Sequence, residues 1–377
     1  MWQADKSEET SFHKASLQGD VWMRRYEQLA ERILSFVERG EGSFEELSIE
    51  LFEYQFERNA PYRRYCEKLR VTPDNIKSWK QIPPVPTLAF KFFDLACEPL
   101  ENAKFVFTSS GTTLGRTIRS KHYIFDERFY EVACCNWFKR HILPDDAKLP
   151  FFILFPPFEE LRNSSLAFML DTLKRRFSSN GGEHFVLNGR LRVKELVKRL
   201  ELTEEPVCLL GTSLSFLEFV EECERLKVSF NLPRGSRIMD TGGFKGVRKE
   251  IAKEELYKRY ELCFGIPQSC IINEYGMTEL SSQFYDAVFG IPSTRIFKPP
   301  HWVRTVVVDP VTLEEVEEGG VGILRHYDLC NVGSSLCIQT DDIAIKLSDG
   351  FVLLGRAKGS EQRGCSLLAE EWHTMRA

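Results

Sequence analysis

The run Thr108-Ser109-Ser110-Gly111-Thr112-Thr113 places six hydroxyl or glycine residues in succession after an apolar, strand-like stretch, with Gly115 and Arg116 close behind. Small side chains let backbone N–H groups approach an oxyanion, and the hydroxyls donate to the same charge. No Gly-Lys-Ser/Thr follows, so this is not a Walker A loop. A surface turn is the plainer alternative for such a composition. A second stretch, Asp240-Thr241-Gly242-Gly243-Phe244-Lys245-Gly246, follows the strand-like Arg237 to Met239 and precedes a helix expected near Val247. That order sets Gly242 and Gly243 at the C-terminal end of a strand, where open α/β sheets bind ligands.

A third stretch, Asn273-Glu274-Tyr275-Gly276-Met277-Thr278-Glu279, follows Ile271-Ile272 and offers an aromatic face, a hydroxyl and carboxylates. Those suit a base, a phosphate and Mg²⁺ respectively. The competing reading packs Tyr275 in the core and leaves Glu274 and Glu279 solvated. The fourth element is split between Thr340-Asp341-Asp342 and the segment from Gly355 and Arg356 to Ser366. Its acids can hold ribose hydroxyls and its bases a phosphate, although Asp341 and Asp342 also suit hairpin turns. Cys365 lies between Gly364 and Ser366, close after Lys358 and Arg363, where a thiol is accessible and its ionisation favoured. An ordinary half-exposed cysteine is the alternative.

The elements that must position these residues follow from periodicity. Trp22, Tyr26, Leu29, Ile33 and Phe36 recur at helical spacing until Gly40. Ser43 and Glu46 have capping-box spacing ahead of a second helix reaching about Asn59. Pro83 to Pro86 reads as an extended connector. From about Phe105 to Gly290 strand-like runs alternate with amphipathic helices, for example Val207 to Leu210 followed by a helix from Ser213 to Leu226, which argues for a layered α/β core. After Trp302 come β-branched runs, Val303 to Val308, Gly322 to His326, Ile343 to Leu347 and Phe351 to Leu354, separated by turn residues. The expected organisation is a helical region over 1–100, an α/β core over 101–300 and a small β-rich subdomain over 301–377.

Composition narrows the function classes. Fifty basic and 55 acidic side chains in 377 residues leave a net charge of −5, which carries no footprint of nucleic-acid binding. The longest apolar run, Phe151 to Phe155, is far too short to span a bilayer, and the polar N-terminus does not read as a secretion signal. Eleven cysteines without metal-ligand spacing, mostly in apolar runs, fit reduced thiols in a cytoplasmic protein.

In order and content the four stretches resemble the core motifs of the adenylate-forming superfamily of acyl-CoA synthetases and luciferases. The resemblance makes Thr108 to Gly115 the phosphate loop, Gly242 and Gly243 the adenine-side turn, and Asn273 to Glu279 the Tyr-Gly-x-Thr-Glu motif. Asp342 matches the ribose aspartate and Arg356 the Gly-Arg hinge arginine. Within the superfamily the chain is most similar to the LuxE-type acyl-protein synthetases. That likeness is carried by Tyr54-Gln55-Phe56 to Tyr62-Arg63, by Pro86-Thr87-Leu88-Ala89-Phe90-Lys91, and by Lys358-Gly359-Ser360 to Arg363-Gly364-Cys365-Ser366. It implies use of ATP and Mg²⁺, with Glu279 on the metal and Thr278 on phosphate, to convert a fatty acid to acyl-AMP. The acyl group would then pass to Cys365 and on to a LuxC-type acyl reductase. The lysine usual after the phosphate loop is missing, so Arg116 or Arg119 stands in. Only 12 residues follow Cys365, so the mobile C-terminal lid domain is expected to be absent. A truncated phenylacetate-type CoA ligase and a non-catalytic binding homologue are the rival readings.

Overall fold

The computed structural model describes residues 25–109, 118–242 and 251–356. Helix α1 runs through 25–39 and buries Leu29, Ala30, Ile33, Phe36 and Val37, one face at helical spacing. It stops at Gly40, whose φ of 74° only glycine adopts readily and whose N–H bonds Phe36 O at 2.8 Å. Helix α2 (Phe44–Arg58) starts where Ser43 Oγ accepts from Glu46 N at 3.4 Å. Asn59 closes α2 and opens α3 (Ala60–Lys68): its N–H bonds Gln55 O, and its side chain accepts from Tyr62 N at 3.2 Å.

The chain then forms β1 (Val85–Pro86), the short α4 (Ala89–Phe92), and an antiparallel ribbon of β2 (Phe105–Thr108) with β3 (Lys121–Ile124). Next come α5 (Glu127–Ile142), β4 (Phe151–Leu154), α6 (Ser165–Phe177), β5 (Glu183–His184), the hairpin of β6 (Val186–Leu187) and β7 (Arg190–Leu191), and α7 (Val193–Glu201). They are followed by β8 (Cys208–Thr212), α8 (Ser213–Leu226), β9 (Arg237–Thr241), α9 (Lys253–Phe264), β10 (Ile271–Tyr275) and β11 (Phe284–Tyr285). The last four strands are β12 (Val303–Val308), β13 (Val321–Asp328), β14 (Cys337–Leu347) and β15 (Gly350–Arg356).

Two sheets organise these elements. The first has order β11-β10-β9-β8-β4-β5 and is parallel except for β11. Helices cover both faces, so β4, β9 and β10 are buried along their whole length rather than on alternate residues. One face, through Ile153, Leu210, Met239 and Ile272, joins the main core with α5, α6 and the N-terminal helices. The other, through Leu209, Ile238 and Ile271, meets α7, α8 and α9. The second sheet has order β1-β14-β13-β12 with β15 also on β14. In it β1 lies parallel to β14, Val85 opposite Ile338, so residues early in the chain complete the late sheet.

Local pattern located α8 and β12 at their observed limits. Three placements differ from expectation. β9 extends to Thr241, and β10 carries Asn273, Glu274 and Tyr275 within the strand, where the sequence reading put them after it. The strand expected over Ile343 to Leu347 starts earlier, at Cys337, so Asp341 and Asp342 lie inside β14 and the hairpin-turn alternative for them fails; the turn comes at 347–350, after β14 has paired along its length with β13 and β15. The helix expected near Val247 is described only from Lys253, since 243–250 lie outside the described residues. No helix among the described residues is long and apolar enough to cross a membrane.

Candidate active site

The ribbon of β2 and β3 fixes the two ends of the hydroxyl-rich loop. Thr108 faces Lys121 across the ribbon, Ser109 N donates to Ser120 O at 3.2 Å, and Ser120 N donates to Ser109 Oγ at 3.1 Å. Asn163 anchors the same end from outside, donating from Nδ2 to Thr108 Oγ1 at 2.9 Å and accepting Thr108 N–H at 2.9 Å. Ser110, Gly111, Thr112, Thr113 and Arg116 fall outside the described residues, as do Gly243 and Cys365. Gly242 follows β9 with φ of 75°, a left-handed turn that a side chain would strain.

One step beyond the ribbon, His122 reaches the third stretch. Its Nδ1 lies 2.8 Å from Thr278 O and its Nε2 3.1 Å from Ser334 Oγ. A carbonyl only accepts, so Nδ1 carries the proton and Nε2 accepts from the Ser334 hydroxyl. Burial pulls His122 down to about 4, which keeps this neutral tautomer at ordinary pH. The turn after Thr278 is held from the β13–β14 connection. Asn331 donates from Nδ2 to Glu279 O at 2.9 Å and accepts Ser281 N–H at 2.8 Å, while Asp328 accepts from Ser282 N at 2.9 Å and Ser282 Oγ at 2.8 Å.

Tyr275, at the end of β10, donates its hydroxyl to Asp342 Oδ2 at 2.8 Å. Asp342 faces Arg356 directly across β14 and β15, with Arg356 Nε at 3.5 Å from Oδ1. The Tyr275 ring packs among Phe284, Phe297 and Phe351 at 5.6–5.9 Å between centroids and is 8% exposed. Glu279 is 6% exposed and Glu274 4%, so neither is a solvated charge. Burial raises the Glu279 carboxyl, against the Ser120 hydroxyl and the charge of Arg356. Burial also pushes Glu274 up to about 7, with Thr241 opposing and Asp240 adding to the rise.

Asn273 does not join this group. Its amide donates to Asp240 Oδ1 at 2.8 Å and accepts from Lys253 Nζ at 2.6 Å, while its backbone N–H bonds Asp286 Oδ1 at 2.8 Å. Ser213 donates to Asp240 Oδ2 at 2.8 Å, so this network ties β9 and β10 to α8 and α9. The structure thus gathers Ser109, Thr278, Glu279, Tyr275, Asp342 and Arg356, and leaves Asn273 as a brace. His122, Thr241, Asp328 and Asn331 were missed by sequence reasoning. A single histidine or aspartate in an apolar run gives no local signal of its partners, which for His122 lie 156 residues away at Thr278 and 212 at Ser334.

No cluster of three His, Cys, Asp or Glu side chains able to cage a metal occurs among the described residues. One buried carboxylate suits Mg²⁺ carried in on phosphates and water, the usual habit of that ion.

Layered parallel strands that deliver these turns to one end are a fold shared with solved acyl-CoA ligases. The solved structure of 2-hydroxyisobutyryl-CoA ligase in its postadenylation state with 2-HIB-AMP superposes with a TM-score of 0.63 at 16% identity, covering 83% of this chain and 67% of that one. An open conformation of that ligase with 2-HIB-AMP and CoA matches at 0.60 and 16% identity, over 82% and 73%. The chain belongs to the acyl-protein synthetase, LuxE family, whose pattern covers residues 34–374, and is an enzyme of the ligase class. A long-chain-fatty-acid–luciferin-component ligase of Aliivibrio fischeri is 25% identical over 356 residues, 87% of this chain and 89% of that protein. The ligase of the same name from Vibrio harveyi is 21% identical over 86% of each.

Proposed function

We propose that the protein activates a long-chain fatty acid with ATP and passes the acyl group to its own Cys365. The observation that carries this reading is the family match along nearly the whole chain, with relatives named for a long-chain fatty acid. In the first step the carboxylate oxygen attacks the α-phosphorus of ATP, the bond to the β-phosphate bridging oxygen breaks, and pyrophosphate leaves. Hydroxyls and amides of Thr108, Ser109, Ser110, Gly111, Thr112 and Thr113, together with the Thr278 hydroxyl, stabilise charge developing on the phosphate oxygens. Gly242 and Gly243 let the backbone lie against adenine. The Asp342 carboxylate, oriented by Tyr275 and Arg356, accepts from the ribose hydroxyls. Glu279 would hold Mg²⁺, which when bound offsets phosphate charge.

In the second step the Cys365 thiolate attacks the acyl carbonyl, the bond to the AMP oxygen breaks, and AMP leaves with the electron pair. The thioester then serves a partner acyl reductase in the cytoplasm. The helical, α/β and β-rich stretches, divided near residues 100 and 300, divide the labour: the last carries the ribose contact and the acceptor cysteine.

The test is Cys365→Ser with labelled fatty acid and ATP. The variant should still exchange pyrophosphate into ATP but carry no label through denaturing electrophoresis, whereas wild-type label should be removed by neutral hydroxylamine. Equal labelling of the variant would overturn self-acylation. A turnover that needs added CoA and is indifferent to Cys365 would favour a truncated phenylacetate-type CoA ligase, and no exchange at all a non-catalytic homologue.

A further inference from the structure

One group of buried side chains has no part in that scheme. Glu274 on β10 and Tyr285 on β11 are direct cross-strand partners, so their side chains leave the same face of the sheet. Gln283 adjoins them: a Cβ at Gly276 would lie 2.5 Å from Glu274 Oε1 and 3.8 Å from Gln283 Cγ. Thr241, at the end of β9, donates its hydroxyl to Glu274 Oε2. The Tyr285 ring lies along α5, with its centroid 5.2 Å from that of His141 and 6.5 Å from that of Phe138, and its hydroxyl senses Glu274, Cys134 and Tyr130.

Gln283 is 3% exposed and Tyr285 fully buried, yet Gln283 Oε1 and the Tyr285 hydroxyl lack a hydrogen-bond partner. The Gln283 amide nitrogen is used, donating to Ser281 O at 3.1 Å, while its oxygen is buried without a donor. Tyr130 donates to Ser165 O at 3.2 Å, and its contact with the Gln283 amide lowers its own proton affinity, as a donated N–H does, so Gln283 Oε1 gains no proton from it. Buried polar atoms are paired in nearly every folded protein, and two orphans beside one carboxyl call for an occupant. Their position suggests which. Thr241 immediately precedes Gly242, and Glu274 lies just before Gly276 and Thr278, so the group sits between the two strand ends assigned to the nucleotide.

We propose that Glu274, Gln283 and Tyr285 form a polar subsite for a hydroxyl group carried on the acid substrate, so that the preferred substrate is a long-chain fatty acid bearing a hydroxyl. This rests on the acid-activating reading above. A hydroxyl donates to Gln283 Oε1 and accepts from Tyr285, pairing both orphans at once. A methylene leaves both unpaired. A second carboxylate meets two acceptors and is repelled. An ammonium requires an ionised Glu274, which burial disfavours near neutrality.

The experiment compares ATP–pyrophosphate exchange with matched acids of one chain length: unsubstituted, 2-hydroxy and 3-hydroxy. Wild type should favour one hydroxy acid in kcat/KM by about tenfold or more, the worth of a hydrogen bond in a dry site. Tyr285→Phe and Gln283→Met should each reduce that ratio about tenfold. Tyr285→Phe should melt no lower than wild type, since it deletes an unpaired buried hydroxyl without changing shape. A wild-type preference for the unsubstituted acid, or a ratio unmoved in both variants, overturns the subsite while leaving the activity standing. Absence of exchange with every acid overturns the activity reading, and the subsite with it.

Discussion

Glu274→Gln tests the physical account of this buried carboxyl through its pH dependence. In the folded chain burial pushes Glu274 from an ordinary 4.5 up to about 7. Between those values the unfolded chain releases the proton and the folded chain retains it. Folding stability therefore falls by about 1.4 kcal/mol per pH unit across that window, in all about 3 kcal/mol, and is level above it. Glutamine keeps the volume and the acceptor for Thr241 but has no proton to lose. Urea unfolding of both proteins at pH 4.5, 5.5, 6.5 and 7.5 isolates the effect, because contributions from Asp328 and the other buried acids are common to both. The variant should gain about 3 kcal/mol on wild type from pH 4.5 to 7.5, most of it below pH 7. A difference that stays constant with pH, or shrinks, would refute the claim that Glu274 is held protonated by burial.

His122→Phe keeps the ring volume but leaves the Thr278 carbonyl unpaired, which costs about 1–3 kcal/mol at pH 7 by chemical denaturation. Because burial holds His122 down to about 4 against the usual 6.5, wild type loses stability as pH falls between those values, and the variant should recover about 3 kcal/mol on it over that range. Asp342→Asn weakens the contact with Arg356 and the acceptor assigned to ribose, so KM for ATP in pyrophosphate exchange should rise about tenfold with the melting temperature little changed. Gly322→Ala should be destabilising by roughly 2 kcal/mol or more, since its Cβ would lie 2.3 Å from Val308 O, a backbone atom fixed in the β12–β13 pairing; an unaltered thermal midpoint would contradict that packing.

Local interactions made much of the fold legible. Ser43, Asn59 and Gly40 mark helix ends through bonds to residues three or four positions away, and the limits of α8 and β12 follow from periodicity that a short window contains. The residue types in the motif from Asn273 to Glu279, which carry the proposed nucleotide role, are legible for the same reason: donors, a carboxylate and a glycine are visible without neighbours. Tertiary structure alone decided which of them face one another. Along β10 alternation sends Glu274 toward α5 and Asn273 toward α9, so adjacent residues became an acid whose proton burial holds more tightly and a saturated brace. Asp342 met Arg356 because β14 runs straight through a segment rich enough in turn formers to read as a hairpin, with β13 and β15 supplying its hydrogen bonds. Burial of Glu274, Glu279 and His122, and hence their proton affinities, depends on apolar surface brought from distant segments, which no stretch of sequence around them contains.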